Sequence, residues 1–139
     1  MIDEFSGPYS FLSNFYVEPD GSHVEGEYQA SKSPLAASRF IGLSPYQAKT
    51  LGREIKLRKD WEKVKFGTML RLVRRKFQDH PGLAAKLEAT GDQPLIEGNH
   101  WNDTYWGVCD GVGENNLGII LMMVRYELSQ GVTAPHASW

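Results

Sequence analysis

One segment, residues 61–78, constrains the fold of this chain more than any other, because its apolar side chains share one face of a helix. At the helical spacing of about 100° per residue, these side chains fall within one continuous arc: Phe66, Met69, Leu70, Leu72, Val73 and Phe77. Asp60 stands where a capping side chain is needed, and Pro81 and Gly82 end the pattern. A long helix with one apolar face has to pack against other elements, so we expect a mainly α fold.

Start and stop signals predict two short helices before this segment. Ser44 and Gln47 flank Pro45 as a capping box requires, which predicts a helix that runs to about residue 51. An earlier helix is expected to begin at Glu27. Pro34 should end or kink it within two turns, because proline lacks the backbone N–H and clashes with the preceding turn.

The second half of the chain predicts two further helices and a minor β element. Residues 83–89 are expected to form a short helix, and residues 117–128 are apolar enough to lie at the centre of the core. Alternating residues around a turn predict a small β hairpin over residues 15–26, and residues 93–97 resemble a further strand. Residues 98–115 are irregular and rich in Gly, Asn, Asp and Trp, a composition typical of functional loops.

Length and composition indicate one ordinary folded domain. The chain has 139 residues, of which 41% are hydrophobic and 23% charged, so disordered and fibrous classes are excluded. We expect one domain over residues 1–130 and a flexible tail over 131–139. The longest apolar run, residues 119–124, is too short to span a bilayer, and we expect a cytoplasmic protein without a membrane partner. The single cysteine, Cys109, excludes an internal disulfide and is expected to be a buried filler.

The net charge of -2 hides an uneven distribution of charge. Residues 49–76 contain 11 of the 15 Lys and Arg residues but only 3 of the 17 acids, so this segment carries +8 and the rest of the chain -10. A basic segment within an acidic chain is typical of a protein that binds phosphate locally without coating nucleic acid.

Three clusters of residues carry candidate chemistry. Glu27 begins a predicted helix and Lys32 follows it, although both also suit a solvated helix whose dipole Glu27 complements. The loop at residues 97–107 combines acids, an imidazole and aromatic rings, which suits stacking on a flat ring beside acid/base chemistry. Residues 53–65 mix cations with Trp61, and Arg53 in this stretch is suited to phosphate oxygens.

Two lysines, Lys65 and Lys76, fall within the apolar arc of the long helix. A lysine held away from water, or crowded by other cations, loses affinity for its proton and becomes an amine nucleophile. For both residues we favour the simpler arrangement, in which the stem lies on the apolar surface and the amine reaches water.

Two other kinds of ligand site have weaker support in the sequence. Glu97, His100 and Asp103 form a possible metal-binding set, but their spacing is not that of a firm metal motif, and we expect neither a metal nor a cofactor. Residues 111–118 lack the third glycine of a dinucleotide-binding loop, although the helix start there is open to an anion in this interpretation.

An ordered set of short motifs resembles the NADAR family, also called YbiA-like. The match runs from about Phe5 to Leu128. Its pieces are Phe11 to Tyr16, Glu27-Tyr28-Gln29 with Lys32, Gly52-Arg53, Arg58 to Trp61 with Lys65, Lys76-Phe77, Leu95-Ile96-Glu97, Asp103 with Trp106-Gly107, Asn116-Leu117-Gly118, Leu121-Met122 and Arg125.

The resemblance implies a compact, mainly helical YbiA-like fold and an enzyme that cleaves N-glycosidic bonds of phosphorylated ribose derivatives. Glu27 and Asp103 match the acidic positions linked to catalysis, and Trp106 matches an aromatic position of the substrate site. Members that act on guanine are associated with a lysine Schiff base. The resemblance does not single out one of three candidate lysines, which are Lys32, Lys65 and Lys76.

The resulting hypothesis is hydrolysis of the bond between ADP-ribose and guanine, in nucleic acid or nucleoside. A carboxylate stabilises the positive charge that develops on the sugar, and an amine captures the opened ribose as an imine. The expected catalytic residues are Glu27, Lys32, Lys65 and Asp103. The expected substrate-binding residues are Asn14, Phe15, Arg53, Trp61, Trp106 and Asn116.

Two alternatives remain open at this point. One is a hydrolase of phosphorylated riboflavin-pathway intermediates that releases ribose 5-phosphate. The other is a module that binds ADP-ribose or a nucleotide without cleaving it, although paired carboxylates are unfavourable beside an anionic ligand. The expected partners are an ADP-ribosyl or ribose-phosphate substrate, ADP-ribosylated DNA or RNA, and an ADP-ribosyltransferase toxin to which this protein would be the antitoxin.

Overall fold

A computed structural model describes residues 1–131, and most of these residues are helical. Residues 1–131 contain five α-helices, which are α1 Val24–Ser31, α2 Pro45–Gly52, α3 Trp61–Asp79, α4 Pro81–Ala89 and α5 Asn116–Ser129. Two 3-10 helices, Gly7–Leu12 and Pro34–Phe40, precede α1 and α2. No helix in residues 1–131 combines the length and apolar character needed to cross a membrane. Apart from Gly131, the predicted tail lies outside the described residues.

Helix α1 begins three residues earlier than the sequence predicts, because a histidine caps it. His23 has extended backbone angles, and its Nδ1 accepts a hydrogen bond from the Gly26 N–H at 2.9 Å. Its Nε2 then carries the proton and donates to the Leu43 carbonyl at 2.9 Å. Histidine is not among the preferred capping residues, so this start has no clear sequence signal. The helix ends before Pro34, as predicted.

Helices α2, α3 and α4 follow the sequence signals closely. The capping box of α2 is present, with the Gln47 N–H donating to Ser44 Oγ at 3.2 Å and the Ser44 N–H donating to Gln47 Oε1 at 2.9 Å. Helix α3 begins at Trp61 and α4 ends at Ala89, where Gly91 adopts a φ of +65° beyond the helix. The buried apolar residues of α3 are Trp61, which begins the helix, and four residues of the predicted arc: Met69, Leu72, Val73 and Phe77.

The β structure differs from the prediction. Residues 15–26 contain a turn, in which the Glu18 N–H donates to the Ser22 carbonyl at 2.7 Å, but they form no strand. Residues 93–97 make a single parallel bridge between Leu95 and Ile2 instead of a strand. The minor sheet consists of two parallel strands, β1 Gly98–Asn99 and β2 Val108–Cys109. The prediction of strands used the alternation of polar and apolar residues. This alternation carries no information about contacts between residues far apart in the chain, such as Ile2 and Leu95.

The described residues divide into two compact units. Unit 1 contains residues 1–12 and the chain from Val73 onward, and unit 2 contains residues 13–72. In unit 1, α4 packs against α5, and in unit 2, α1 packs against α2 and the second 3-10 helix. The expectation of one domain over residues 1–130 stays a prediction.

Helix α5 is only partly central to its core. Leu117, Ile120, Leu121 and Val124 are buried, whereas Ile119 is 41% exposed, so the prediction of a fully central helix is wrong for that face. Cys109 is buried, as expected of a filler.

Unit 1 buries two cations of α3, which the sequence pattern does not predict. Arg74 lies outside the apolar arc, yet it is buried and bonds to the Glu127 carboxylate through Nε at 2.9 Å and Nη2 at 2.6 Å. Lys76 is buried as well, and its Nζ donates to the Phe11 carbonyl at 2.6 Å. The expectation that the Lys76 amine reaches water is therefore wrong, because a backbone carbonyl meets it inside the fold.

Glu127→Gln is expected to destabilise the protein, because it leaves the buried Arg74 guanidinium without its counter-charge. Glu127 is 24% exposed, so we expect a loss of about 2 kcal/mol, below the range for a fully buried pair. The free energy of unfolding in urea measures the effect. The matched change at exposed Glu88, Glu88→Gln, should stay within about 0.5 kcal/mol. Equal losses for the two variants would contradict a specific role for the pair.

Candidate functional site

Lys32 lies at the centre of the candidate site in unit 2. It follows α1 directly, and its carbonyl accepts a hydrogen bond from the Arg58 N–H at 2.7 Å. Its Nζ lies 5.4 Å from the centre of the Tyr28 ring, one turn earlier on the helix. The Tyr28 ring in turn packs against Trp61, with 5.2 Å between ring centres. The amine therefore stands on a buried aromatic layer.

Burial lowers the pKa of the Lys32 amine below its ordinary value of 10.5. Glu25 opposes this shift, whereas three cations, Arg53, Lys49 and Lys65, add to the lowering of the pKa. Desolvation and like charges both disfavour the protonated amine, so a larger fraction of Lys32 is neutral at a given pH. A neutral amine is the form that attacks an electrophilic carbon.

Glu25 is a candidate functional residue that the sequence-based prediction missed. It is buried in the first turn of α1, and its Oε1 accepts a hydrogen bond from Gln29 Nε2 at 3.0 Å. Glu25, Gln29 and Lys32 follow one another at helical intervals of four and three residues, which places them on one face. That spacing is a signal that the sequence contains. Glu27 is half-buried and lies about 140° around the helix from Lys32.

Gly52 makes room for this buried pair. A Cβ atom at position 52 would overlap Gln29 Oε1, so only glycine lets the Gln29 amide occupy its place. Arg53, the residue after Gly52, ends α2 and is exposed. The sequence motif Gly52-Arg53 thus combines a close contact with α1 and a cation whose charge reaches Lys32.

Of the other predicted residues of unit 2, Asn14 contacts α1 and Phe15 contacts α2. The Asn14 carbonyl accepts a hydrogen bond from the Glu25 N–H at 3.0 Å. The Phe15 ring meets Tyr46 edge-on, with 4.8 Å between ring centres, and Lys49 Nζ lies 5.6 Å from the Phe15 ring.

Lys65 and Trp61 have contacts that bear on their predicted roles. Lys65 forms an ion pair with Glu62 at 2.5 Å on the same helix. Trp61 is only 5% exposed, so little of its ring is available to a ligand. Its predicted part in substrate binding stays a prediction, and its observed contact is the support of Tyr28.

Unit 1 brings Asp103, Trp106 and Asn116 together. The Asp103 carboxylate accepts a hydrogen bond from the Trp106 N–H at 2.9 Å, and the Trp106 ring meets Tyr105 edge-on at 4.7 Å. The first two backbone N–H groups of α5, from Asn116 and Leu117, donate to the Tyr105 and Trp106 carbonyls at 3.1 and 3.0 Å. The expectation that this helix start is open to an anion is therefore wrong for these two donors, because loop carbonyls occupy them.

The alternative metal site receives no support from the described loop. His100 is 82% exposed and faces Asp110 at 3.8 Å. Glu97 Oε2 instead accepts a hydrogen bond from Asn99 Nδ2 at 3.0 Å. Within residues 1–131, Glu97, His100 and Asp103 do not bring their ligand atoms together as a metal-binding group.

Comparison with known proteins agrees with this architecture. The NADAR domain matches residues 3–129. The chain is 43% identical to N-glycosidase YbiA of Escherichia coli, over 89% of this chain and 84% of that protein. It is 39% identical to riboflavin biosynthesis protein VVA0006 of Vibrio vulnificus, over 88% of this chain but 36% of that protein. The NMR structure of E. coli YbiA superposes with a TM-score of 0.79 and 34% identity, covering 94% of this chain and 88% of that chain. The chain belongs to the NADAR family.

The pKa of Lys32 is expected to respond in opposite directions to its two kinds of neighbour. Glu25→Gln should lower this pKa further, because it removes the charge that favours the protonated amine. Arg53→Gln should raise it toward 10.5, because it removes a cation. Titration of 13C-dimethylated lysines by NMR measures both shifts, with Lys32→Arg to assign the signal. Exposed Lys63 serves as the internal control. Shifts in the same direction for the two variants would contradict this account.

Proposed function

We propose that this chain is a hydrolase of N-glycosyl bonds, and that its substrate is ADP-ribosylated guanine in nucleic acid or nucleoside. The observation that carries the proposal is the desolvated Lys32 amine, whose pKa is lowered by burial and by three neighbouring cations. The names of relatives, which include N-glycosidases, support the reaction class. The family resemblance associates a lysine imine with the members that act on guanine.

The amine gives this reaction a covalent route. Its lone pair forms a bond to C1′ of the ribose, the bond between C1′ and the guanine nitrogen breaks, and the guanine leaves with that electron pair and a proton. The C1′–O4′ bond then breaks and the sugar ring opens. Of the two protons that the lysine nitrogen gives up, one leaves with the guanine and the other protonates O4′, so that a neutral imine joins the nitrogen to C1′. Water then hydrolyses the imine, which restores the amine and releases the sugar with a free aldehyde. Because burial and neighbouring cations lower the pKa of Lys32, a larger fraction of this amine than of an ordinary lysine is neutral and ready to begin this sequence.

Carboxylates supply proton transfer and charge stabilisation in this proposal. Glu25 is the acid whose field acts on Lys32, and it accepts the proton that the amine gives up. Glu27 and Asp103 keep the catalytic roles that the family resemblance gives them. Positive charge develops on the ribose as the glycosidic bond breaks, and a carboxylate beside it lowers the barrier.

The cations around Lys32 suit the phosphate groups of the substrate. Arg53, Lys49 and Lys65 each act electrostatically on Lys32, so a phosphate among them would be drawn toward the amine. The same phosphate would offset their effect on the amine and raise its pKa. Substrate binding and amine reactivity are therefore coupled in this arrangement.

Borohydride trapping with an ADP-ribosylated guanine oligonucleotide tests the covalent step. We expect a stable adduct on Lys32 by mass spectrometry, its loss in Lys32→Arg, and a fall in turnover of at least about 100-fold. Lys65→Arg and Lys63→Arg keep the charge at other sites and should retain the adduct. An active enzyme that never forms an adduct would remove the imine from the mechanism.

A second candidate substrate is a phosphorylated riboflavin-pathway intermediate, which would release ribose 5-phosphate. The observation that favours it is the similarity to a protein named for riboflavin biosynthesis. Incubation with each substrate class, followed by detection of the freed base, separates the two. Release from the riboflavin intermediate alone would replace guanine as the proposed substrate.

A binding module without catalysis would give a different result. It would bind ADP-ribose measurably, release no base from either substrate, and keep its affinity in Glu25→Gln and Glu27→Gln. That outcome would contradict the proposed function. For the enzyme, we expect Glu25→Gln and Glu27→Gln to reduce turnover by about 100-fold or more. A loss in only one of the two variants would identify which acid of α1 takes part.

A further inference from the structure

Asn99 in unit 1 is a buried amide around which the loop at residues 97–107 is organised. It stands on β1, is 4% exposed, and uses both ends of its side chain. Its Nδ2 donates to Glu97 Oε2 at 3.0 Å and to the Asp103 carbonyl at 2.9 Å. Its Oδ1 accepts from the N–H groups of Trp101 at 3.3 Å and Asp103 at 3.1 Å.

These partners fix the orientation of the amide. Rotation by 180° would turn the NH₂ group toward two N–H donors and the oxygen toward a carboxylate and a carbonyl. Each of these four hydrogen bonds would then be replaced by a repulsive contact between two donors or between two acceptors. The side chain is thus locked in one state, and few other residue types provide two donors and an acceptor in this geometry.

The fixed Asn99 amide in turn fixes the position of Asp103. One amide group holds both its N–H and its carbonyl, which fixes the backbone on either side of the side chain. The Trp106 N–H holds Asp103 Oδ1 at 2.9 Å. With its backbone and one carboxylate oxygen fixed, the direction of the second oxygen, Oδ2, is set as well.

The Glu97 carboxylate is held in the same way. A Cβ atom on Gly107 would overlap Glu97 Oε2, so this oxygen lies against the backbone of a glycine. Asn99 Nδ2 binds the same oxygen. A hydrogen bond to an ionised group is stronger than one between neutral groups, so this contact anchors the amide firmly.

We propose that Asn99 is a positioning residue that fixes the Asp103 carboxylate for the reaction. The effect on turnover rests on the proposed function, in which Asp103 acts on the substrate. The effect on the local structure of the loop does not. Removal of the Nδ2 donor should therefore loosen Asp103 and Trp106 whatever the substrate, and lower kcat if Asp103 is catalytic.

Asn99→Asp tests the donor separately from the acceptor. The new carboxylate keeps an oxygen toward Trp101 and Asp103 but turns a second oxygen toward Glu97. We expect amide hydrogen exchange at Asp103 and Trp106 to accelerate about 10-fold or more, with the amides of α5 beyond its first turn unchanged. We expect kcat to fall about 10- to 100-fold, because the Asp103 carboxylate is no longer held in one direction.

Asn102→Asp is the matched control for the change in charge. Asn102 lies in the same loop, is exposed, and has a φ of 66°, which aspartate also tolerates. Its exchange rates and kcat should remain those of the parent protein. If Asn102→Asp loosens Asp103 to the same degree, added charge in the loop explains the effect and the proposal is overturned.

A double variant exchanges donor and acceptor. In Asn99→Asp with Glu97→Gln, the new glutamine amide donates to the new carboxylate, which restores the contact between residues 97 and 99 in reverse but not the bond to the Asp103 carbonyl. Slower exchange at Asp103 and Trp106 than in Asn99→Asp alone supports the proposal, and no recovery overturns the part of it in which Glu97 anchors the amide. If Asn99→Asp does not fold, Asn99→Ser takes its place, because a short hydroxyl cannot reach Glu97 and Asp103 together.

The experiments can refute the positioning role of Asn99 and its effect on catalysis separately. Unchanged exchange at Asp103 and Trp106 in a folded Asn99 variant overturns the positioning role, whether or not the protein is active. Accelerated exchange in a protein that cleaves neither substrate class supports the positioning role and refutes the proposed function. Accelerated exchange with an unchanged kcat overturns the claim that this position of Asp103 matters to the reaction.

Discussion

The burial of one face of α1 is the constraint on which the candidate site depends. That face carries Glu25 and Lys32, and neither charge is easily moved out of water. Gln29 donates a hydrogen bond to one oxygen of the Glu25 carboxylate, and Gly52 leaves the space in which Gln29 fits. Because residue 52 of α2 is a glycine without a side chain, α2 leaves space for the Gln29 side chain of α1. The amine that results is less easily protonated than an ordinary lysine, which is the property that imine chemistry requires.

The loop at residues 97–107 of unit 1 has little regular structure. It contains one two-residue strand, β1, so side-chain amides hold the loop where a longer backbone ladder is missing. Asn99 bonds to groups of Glu97 and Asp103, and Asn115 bonds to the Glu97 N–H and the Leu95 carbonyl. A loop built in this way holds its side chains firmly while it leaves aromatic rings at the surface. Such a combination suits the positioning of catalytic groups on a rigid base.

Local signals in the sequence predict the helices well because capping and proline chemistry act over a few residues. The capping box at Ser44 and the stop before Pro34 are examples. The predicted strand at residues 93–97 is reduced to a single bridge, because its backbone partner, Ile2, lies far away in the chain and extends the pairing no further. The burial of Arg74 also depends on a residue far away in the chain, so local signals do not predict it. A polar position on a helical wheel is buried when a distant carboxylate, here Glu127, neutralises it.

The sequence by itself determined the helical class, the family and a set of candidate acids and lysines that did not include Glu25. Only the tertiary structure distinguished among those candidates. The family resemblance left open which of Lys32, Lys65 and Lys76 forms an imine, and the expected catalytic residues included both Lys32 and Lys65. In the fold, Lys76 donates to a backbone carbonyl and Lys65 pairs with Glu62, whereas burial and neighbouring cations lower the pKa of Lys32. The reason is physical, because desolvation and the field of nearby charges depend on which residues surround an amine in space and not on those beside it in the chain.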